Sequence, residues 1–219
     1  MPISKLLGGA APAALLCMIL GLMAGGLAAR SFTPLPGPPI RSHELAATDI
    51  TILGPPGYCI DTTATRDTDA GVFVMMGDCA RLYYETTEAP EISAVLTALV
   101  SGPSPIPQQP NTAQLERFFL SEAGRAALST DGQSDTVEIV QTQVKDTVLW
   151  LQLEDSSTAR PAGLSPLSWR ALLSLQDRLV SLAVTAHLEE PLEDAALQTL
   201  LDQFIAEMLT ANSQSAATE

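Results

Sequence analysis

At 219 residues, with 46% apolar and 16% charged side chains, the chain has the material for one sizeable core and a globular composition. Eleven Lys and Arg stand against 25 Asp and Glu, a net charge of −14, and no two basic residues are adjacent. This excludes the basic footprint that nucleic acid or an anionic membrane surface requires, so no nucleic acid partner is expected and the acidity reads as a solvated surface.

Residues 6–29 form a stretch of 24 uncharged, mostly apolar residues, which as a helix rising ~1.5 Å per residue would cross the roughly 30 Å hydrocarbon core of a bilayer. Gly8, Gly9 and Pro12 loosen its first half. They leave an apolar run over residues 13–23, followed by Gly26-Leu27-Ala28 as a small-x-small cleavage site, the pattern of a signal peptide. The lone Lys5 and the length of the apolar run incline the reading toward a membrane anchor. Residues 1–30 are therefore expected to be a membrane anchor or a signal peptide. Either one exports the remaining chain from a bacterial cytoplasm into the cell envelope. Cys17 follows Leu16 where a lipidation site wants a small residue, so it reads as apolar filler. Gly21-x-x-x-Gly25 could be a helix dimerisation face, but chance explains it better in so Gly- and Ala-rich a segment.

Pro34, Pro36, Pro38 and Pro39 impose polyproline-like extension, so residues 31–47 read as a semi-rigid stalk ahead of a domain spanning residues 48–212. Residues 49–53 read as a first short strand, stopped by the turn Gly54-Pro55-Pro56-Gly57. Residues 58–66 and 72–79 then form a hairpin. Residues 92–100, bounded by Pro90 and by Gly102-Pro103, fit strand or short helix and are read as strand, while four prolines bar residues 101–110 from regular structure.

A helix is expected from an N-cap at Asn111, with Gln114 at the capping-box position, toward Leu128, with Gly124 as its kink or end. Two further hairpins follow: residues 136–144 with 148–154 around Lys145-Asp146-Thr147, and residues 167–175 with 179–187 around Gln176-Asp177. Leu149, Leu151 and Leu153 share one strand face, as do Trp169, Ala171, Leu173 and Leu175. Pro191 opens the clearest helix, with a stripe of Leu197, Leu200, Leu201, Phe204, Met208 and Leu209 and an end at Asn212. Residues 213–219 read as a frayed, disordered tail. The pattern predicts an α+β fold: an antiparallel sheet of hairpins with a mid-chain helix and a C-terminal amphipathic helix packed on it, preceded by one N-terminal apolar helix.

This order of elements, ending in a strand pair over residues 169–175 and 179–184 and a C-terminal helix, resembles the sandwich of extrinsic photosystem II proteins. Gly57-Tyr58-Cys59-Ile60-Asp61 with Cys79 resembles a pattern of uncharacterised bacterial envelope proteins. Neither resemblance implies an activity.

Cys59 and Cys79 are the sharpest chemical feature. A turn at residues 67–71 sets Arg66 opposite Val72 and carries Cys59 opposite Cys79, within bridging reach; a turn centred on Arg66 puts them out of register. Export into an oxidising compartment favours the disulfide. Twenty positions separate them, unlike a redox-active Cys-x-x-Cys pair, and two thiols with two scattered histidines form no metal site. His43 lies at the edge of the stalk, and His187 at a strand end on the face of Ser181 and Thr185, where a solvated histidine is the plainer reading. No Gly-x-Ser-x-Gly elbow occurs, and Gly54-Pro55-Pro56-Gly57 lacks the Gly-Lys-Ser/Thr of a phosphate loop. Glu189 with Glu190, and Glu193 with Asp194, are explained by a helix start. No catalytic, cofactor-binding or metal-ligating set is expected.

The leading functional expectation is a non-enzymatic, membrane-proximal periplasmic domain that binds a protein partner of the envelope or a small ligand. A hydrolase-like enzyme with a motif-free site near His187 and a structural subunit of an envelope complex are the alternatives.

Overall fold

The computed structural model describes residues 33–46, 48–68, 71–102 and 111–213. The N-terminal apolar segment with Cys17 and the Gly21/Gly25 spacing, most of the proline-rich residues 101–110 and the tail from residue 214 lie outside the described residues. No helix among the described residues is long and apolar enough to cross a membrane. The described residues from Pro34 on form one compact unit.

Short-range signals build the sheet. Strands β7 (Val137–Lys145) and β8 (Val148–Asp155) are joined at Asp146, whose φ of 54° suits the left-handed region that Asp tolerates. Strands β9 (Leu164–Leu175) and β10 (Arg178–His187) are joined by Gln176 and Asp177, with φ of 44° and 59°. Two successive positive φ values give the turn whose twist matches the flanking strands. Strand β6 (Val95–Ser101) pairs with β10 and with β5 (Gly71–Asp78), confirming strand rather than helix for this stretch. At the far end, β3 (Tyr58–Ile60) and β4 (Arg66–Thr68) both pair with β5. The result is an eight-stranded antiparallel sheet of order β3-β5-β6-β10-β9-β8-β7, with β4 beside β5.

Side-chain alternation separates two cores. One face carries Val74, Met76, Leu96, Ala98, Leu182, Val184, Trp169 and Trp150 against helix α4 (Asp194–Ser213) and the small β1–β2 pair, β1 being Ser42–Glu44 and β2 Thr51–Leu53. The opposite face carries Leu149, Leu151, Leu153 and Leu172 against Leu115, Phe119 and Leu128 of helices α2 (Thr112–Phe119) and α3 (Glu122–Leu128). Strand β8 is thus buried on both faces. The α+β arrangement and both shared faces read from the sequence are present.

The structure corrects several boundaries. The mid-chain helix is two helices, broken before Gly124 where Ser121 caps the second one; a Cβ at Gly124 would collide with the Phe118 carbonyl. The C-terminal helix begins at Asp194 rather than Pro191 and runs to Ser213, and its buried stripe includes Ile205 while Leu209 is 44% exposed. The segment read as a stalk is bonded to the domain from Leu35 on. Leu35 N–H donates to the Leu82 carbonyl, Ile60 N–H donates to the Ile40 carbonyl, and residues 42–44 form β1.

The cysteines are bonded, but not by the expected register. Cys59 lies opposite Gly77, not Cys79, because the ladder is interrupted: the Asp61 carboxylate accepts from Thr63 N–H, the Thr63 hydroxyl and Ala64 N–H, and folds residues 61–65 into a turn between β3 and β4. Cys79 instead opens α1 (Cys79–Leu82), capped by Asp78, and reaches back to Cys59 with a Cα–Cα distance of 4.8 Å. The bridge is fully buried beside Leu82 and Tyr83.

Candidate functional site

The two helices α2 and α3 lie over β7, β8 and β9 but leave the same sheet face open over β6 and β5. In register across that face run Leu149, Leu172, Ser181, Leu99 and Phe73, and in the next row Leu151, Arg170, Ala183, Thr97 and Met75. Burial falls along the first row, from Leu149 and Leu172 in the core to Leu99 at 48% exposure. Where the helices stop, a cleft of about 230 Å³ opens, walled by Leu99, Phe118, Phe119, Leu128, Leu172 and Leu179, with Ser101, Ser181 and Arg170 as polar members.

Arg170 is the anomaly of this cleft. Alternation forces it onto the face of Leu151 and Leu172, since its neighbours Trp169 and Ala171 occupy the other core. Its Nε is sealed from solvent without a hydrogen-bond partner, and its guanidinium forms no hydrogen bond or ion pair among the described residues. Burial pulls it below the ordinary arginine range, and the charge of Asp155 opposes that shift through space. Asp155 does not neutralise it by contact. Its Oδ2 accepts from the N–H and hydroxyl of Thr130 at 3.0 and 2.6 Å, and its Oδ1 accepts from Ser157 N–H at 2.8 Å. Burial alone would raise the Asp155 carboxyl, but these hydrogen bonds outweigh it and hold the carboxyl below its usual range. The residue as a whole is half-buried: its Nε is sealed off, while its terminal nitrogens are not, so the charge is partly desolvated and gains from an anionic partner.

A second cavity, about 470 Å³, lies between the turn at Gly57 and α4, lined by Glu88, Glu91, Gln203 and Glu207. Gly57 has φ of 83°, and a Cβ there would stand 2.5 Å from Pro90 N, so this wall requires glycine. Glu88 is already engaged with Arg41 at 2.8 Å and with Gly57 N–H at 3.2 Å. Among the described residues no cluster of His, Cys, Asp or Glu has the arrangement of a metal site.

The residues weighed for catalysis do not converge. His187 ends β10 just past a register shift, is half-buried and has no side-chain hydrogen bond or ion pair among the described residues. His43, on β1, has a buried Nε2 without a hydrogen-bond partner among the described residues. Glu190 pairs with Arg81 at 3.2 Å, whereas Asp194 turns inward to Trp169 and Gln152. Gly54-Pro55-Pro56-Gly57 is a turn closed by Tyr58 N–H on the Pro55 carbonyl at 3.1 Å.

Sequence reasoning missed Arg170. The signal was available as a lone cation on a strand whose alternate positions are all apolar or small, but only the placement of α2 and α3 shows that this face is covered. The chain matches no protein-family model, no curated protein and no solved structure.

Proposed function

We propose that the chain carries a non-catalytic binding domain of the bacterial cell envelope, held near the membrane by its N-terminal apolar segment or released after signal cleavage, and that it works through the cleft beside Arg170. One observation carries the reading: an apolar cleft at the edge of a covered sheet face contains a guanidinium without a contacting partner among the described residues. Small-ligand sites have this composition, a mostly apolar wall with very few placed polar groups. The envelope location is supported by the apolar segment and by the buried Cys59–Cys79 disulfide, which oxidising compartments make and keep. The scattering of His187, His43 and the carboxylates gives the enzyme alternative no support.

The test is a titration of the full-length, methyl-labelled chain with small amphiphiles such as hexanoate and hexanamide. Saturable shifts confined to the methyls of Leu99, Leu128, Leu172 and Leu179 are expected. Absence of such shifts with every probe overturns the reading.

A further inference from the structure

We propose that the cleft beside Arg170 takes a small organic monocarboxylate, its apolar body against Leu99, Phe118 and Leu172 and its carboxylate on the Arg170 guanidinium. This rests on the binding-domain reading above and adds the chemical class of the ligand.

Three observations carry it. First, the partly desolvated guanidinium has no anion in contact among the described residues. Asp155 acts only through space, its oxygens held by Thr130 and Ser157. The in-register neighbours of Arg170 are Leu151 and Ala183, which carry no charge. A planar guanidinium presents a fork of donors that fits a carboxylate, and such charge-assisted bonds are about twice as strong as neutral ones. Second, Ser181 lies in register between Leu99 and Leu172 on the same face and lines the same cleft. Its hydroxyl donates to no described group, which leaves a second donor beside the guanidinium. Third, the cleft is small. At the ~30 Å³ that a water occupies in the liquid, about 230 Å³ accommodates about eight heavy atoms, the size of a six-carbon acid.

Charge selects against larger polyanions. The chain bears a net −14, so an anion approaching from solvent meets a repulsive field. That field is screened within about 8 Å at physiological ionic strength, while the guanidinium acts at contact in a low-dielectric wall. A ligand with one negative charge and an apolar body gains most from this arrangement.

The experiment compares hexanoate with its neutral isostere hexanamide on the full-length chain, read by methyl shifts of Leu99, Leu172 and Leu179. Hexanoate is expected to bind about tenfold tighter or more. Arg170→Gln should remove that preference, Arg170→Lys should retain part of it, and Leu99→Asp at the exposed rim should weaken both ligands. Because the acid–amide comparison is made on the unaltered chain, it stands even if an Arg170 variant fails to fold. Equal binding of acid and amide overturns the carboxylate inference while the binding-domain reading survives. No saturable shift with either overturns both.

Discussion

The indole Nε1 of Trp169 donates to Oδ1 of Asp194 at 2.5 Å, tying the middle of the sheet to the first residue of α4. Gln152, in register beside Trp169 on β8, donates to the same oxygen at 2.6 Å, and Gln198 donates to Oδ2 at 2.9 Å. Three donors, two of them on largely or fully buried side chains, therefore depend on one carboxylate that also sits at the positive end of a helix dipole. We predict that Asp194→Ala costs about 2 to 4 kcal/mol, because it leaves Trp169 and Gln152 unsatisfied in the core. The measurement is the denaturant midpoint at unchanged m-value; a loss under about 0.5 kcal/mol would mean water replaces the carboxylate.

Phe204 is fully buried between α4 and the sheet, whereas Leu209, five residues on, is 44% exposed. Phe204→Ala is expected to cost about 3 to 5 kcal/mol, and Leu209→Ala to stay within about 0.5 kcal/mol of the unaltered chain. Equal losses in denaturant titrations of the two variants would contradict the helix orientation.

The Cys59–Cys79 bond closes a short loop, for which chain entropy predicts about 3 kcal/mol of stabilisation. Intact-mass analysis of the natively folded protein, alkylated without reductant, should show both thiols protected. Labelling of both would contradict the bridge, and a reduced chain as stable as the oxidised one would contradict its contribution.

Acid should weaken the fold partly through Asp155. Its carboxyl is held below the ordinary value near 3.8, so the folded state binds this proton less readily than the unfolded one. The resulting stabilisation is present above about pH 4 and is lost as pH falls through the lower folded value. Asp155→Asn should flatten that acid limb of the stability curve; an unchanged limb would assign it to other carboxylates.

Export, and then the fate of the N-terminal segment, are tested in turn. Alkaline phosphatase fused after Glu219 is expected to be active, and a fluorescent protein that fails to mature after export to be dark. The opposite pattern would overturn export. N-terminal sequencing of the product then separates a retained anchor, starting at Met1, from a cleaved signal, starting near Ala29.

What the sequence determined by itself was local. The alternation at Leu149, Leu151 and Leu153 and at Trp169, Ala171 and Leu173 follows from the two-residue period of a strand, and each set is buried on its own face. The Asn111 and Gln114 capping box forms as read, since both partners lie within one turn. Tertiary structure decided what depends on distant chain. The partner of Cys59 was legible, but its register was not, because the Asp61 turn breaks the strand that a continuous ladder assumes. Asn212 read as a helix end; its side-chain amide in fact exchanges two 2.9 Å hydrogen bonds with the backbone of Thr51, 161 residues away, and clamps β2 to α4. Arg170 was not singled out by its sequence. It lines a cleft only because α2 and α3 cover its face of the sheet and stop short of Leu99, and a burial shared between elements is written in no single stretch of sequence.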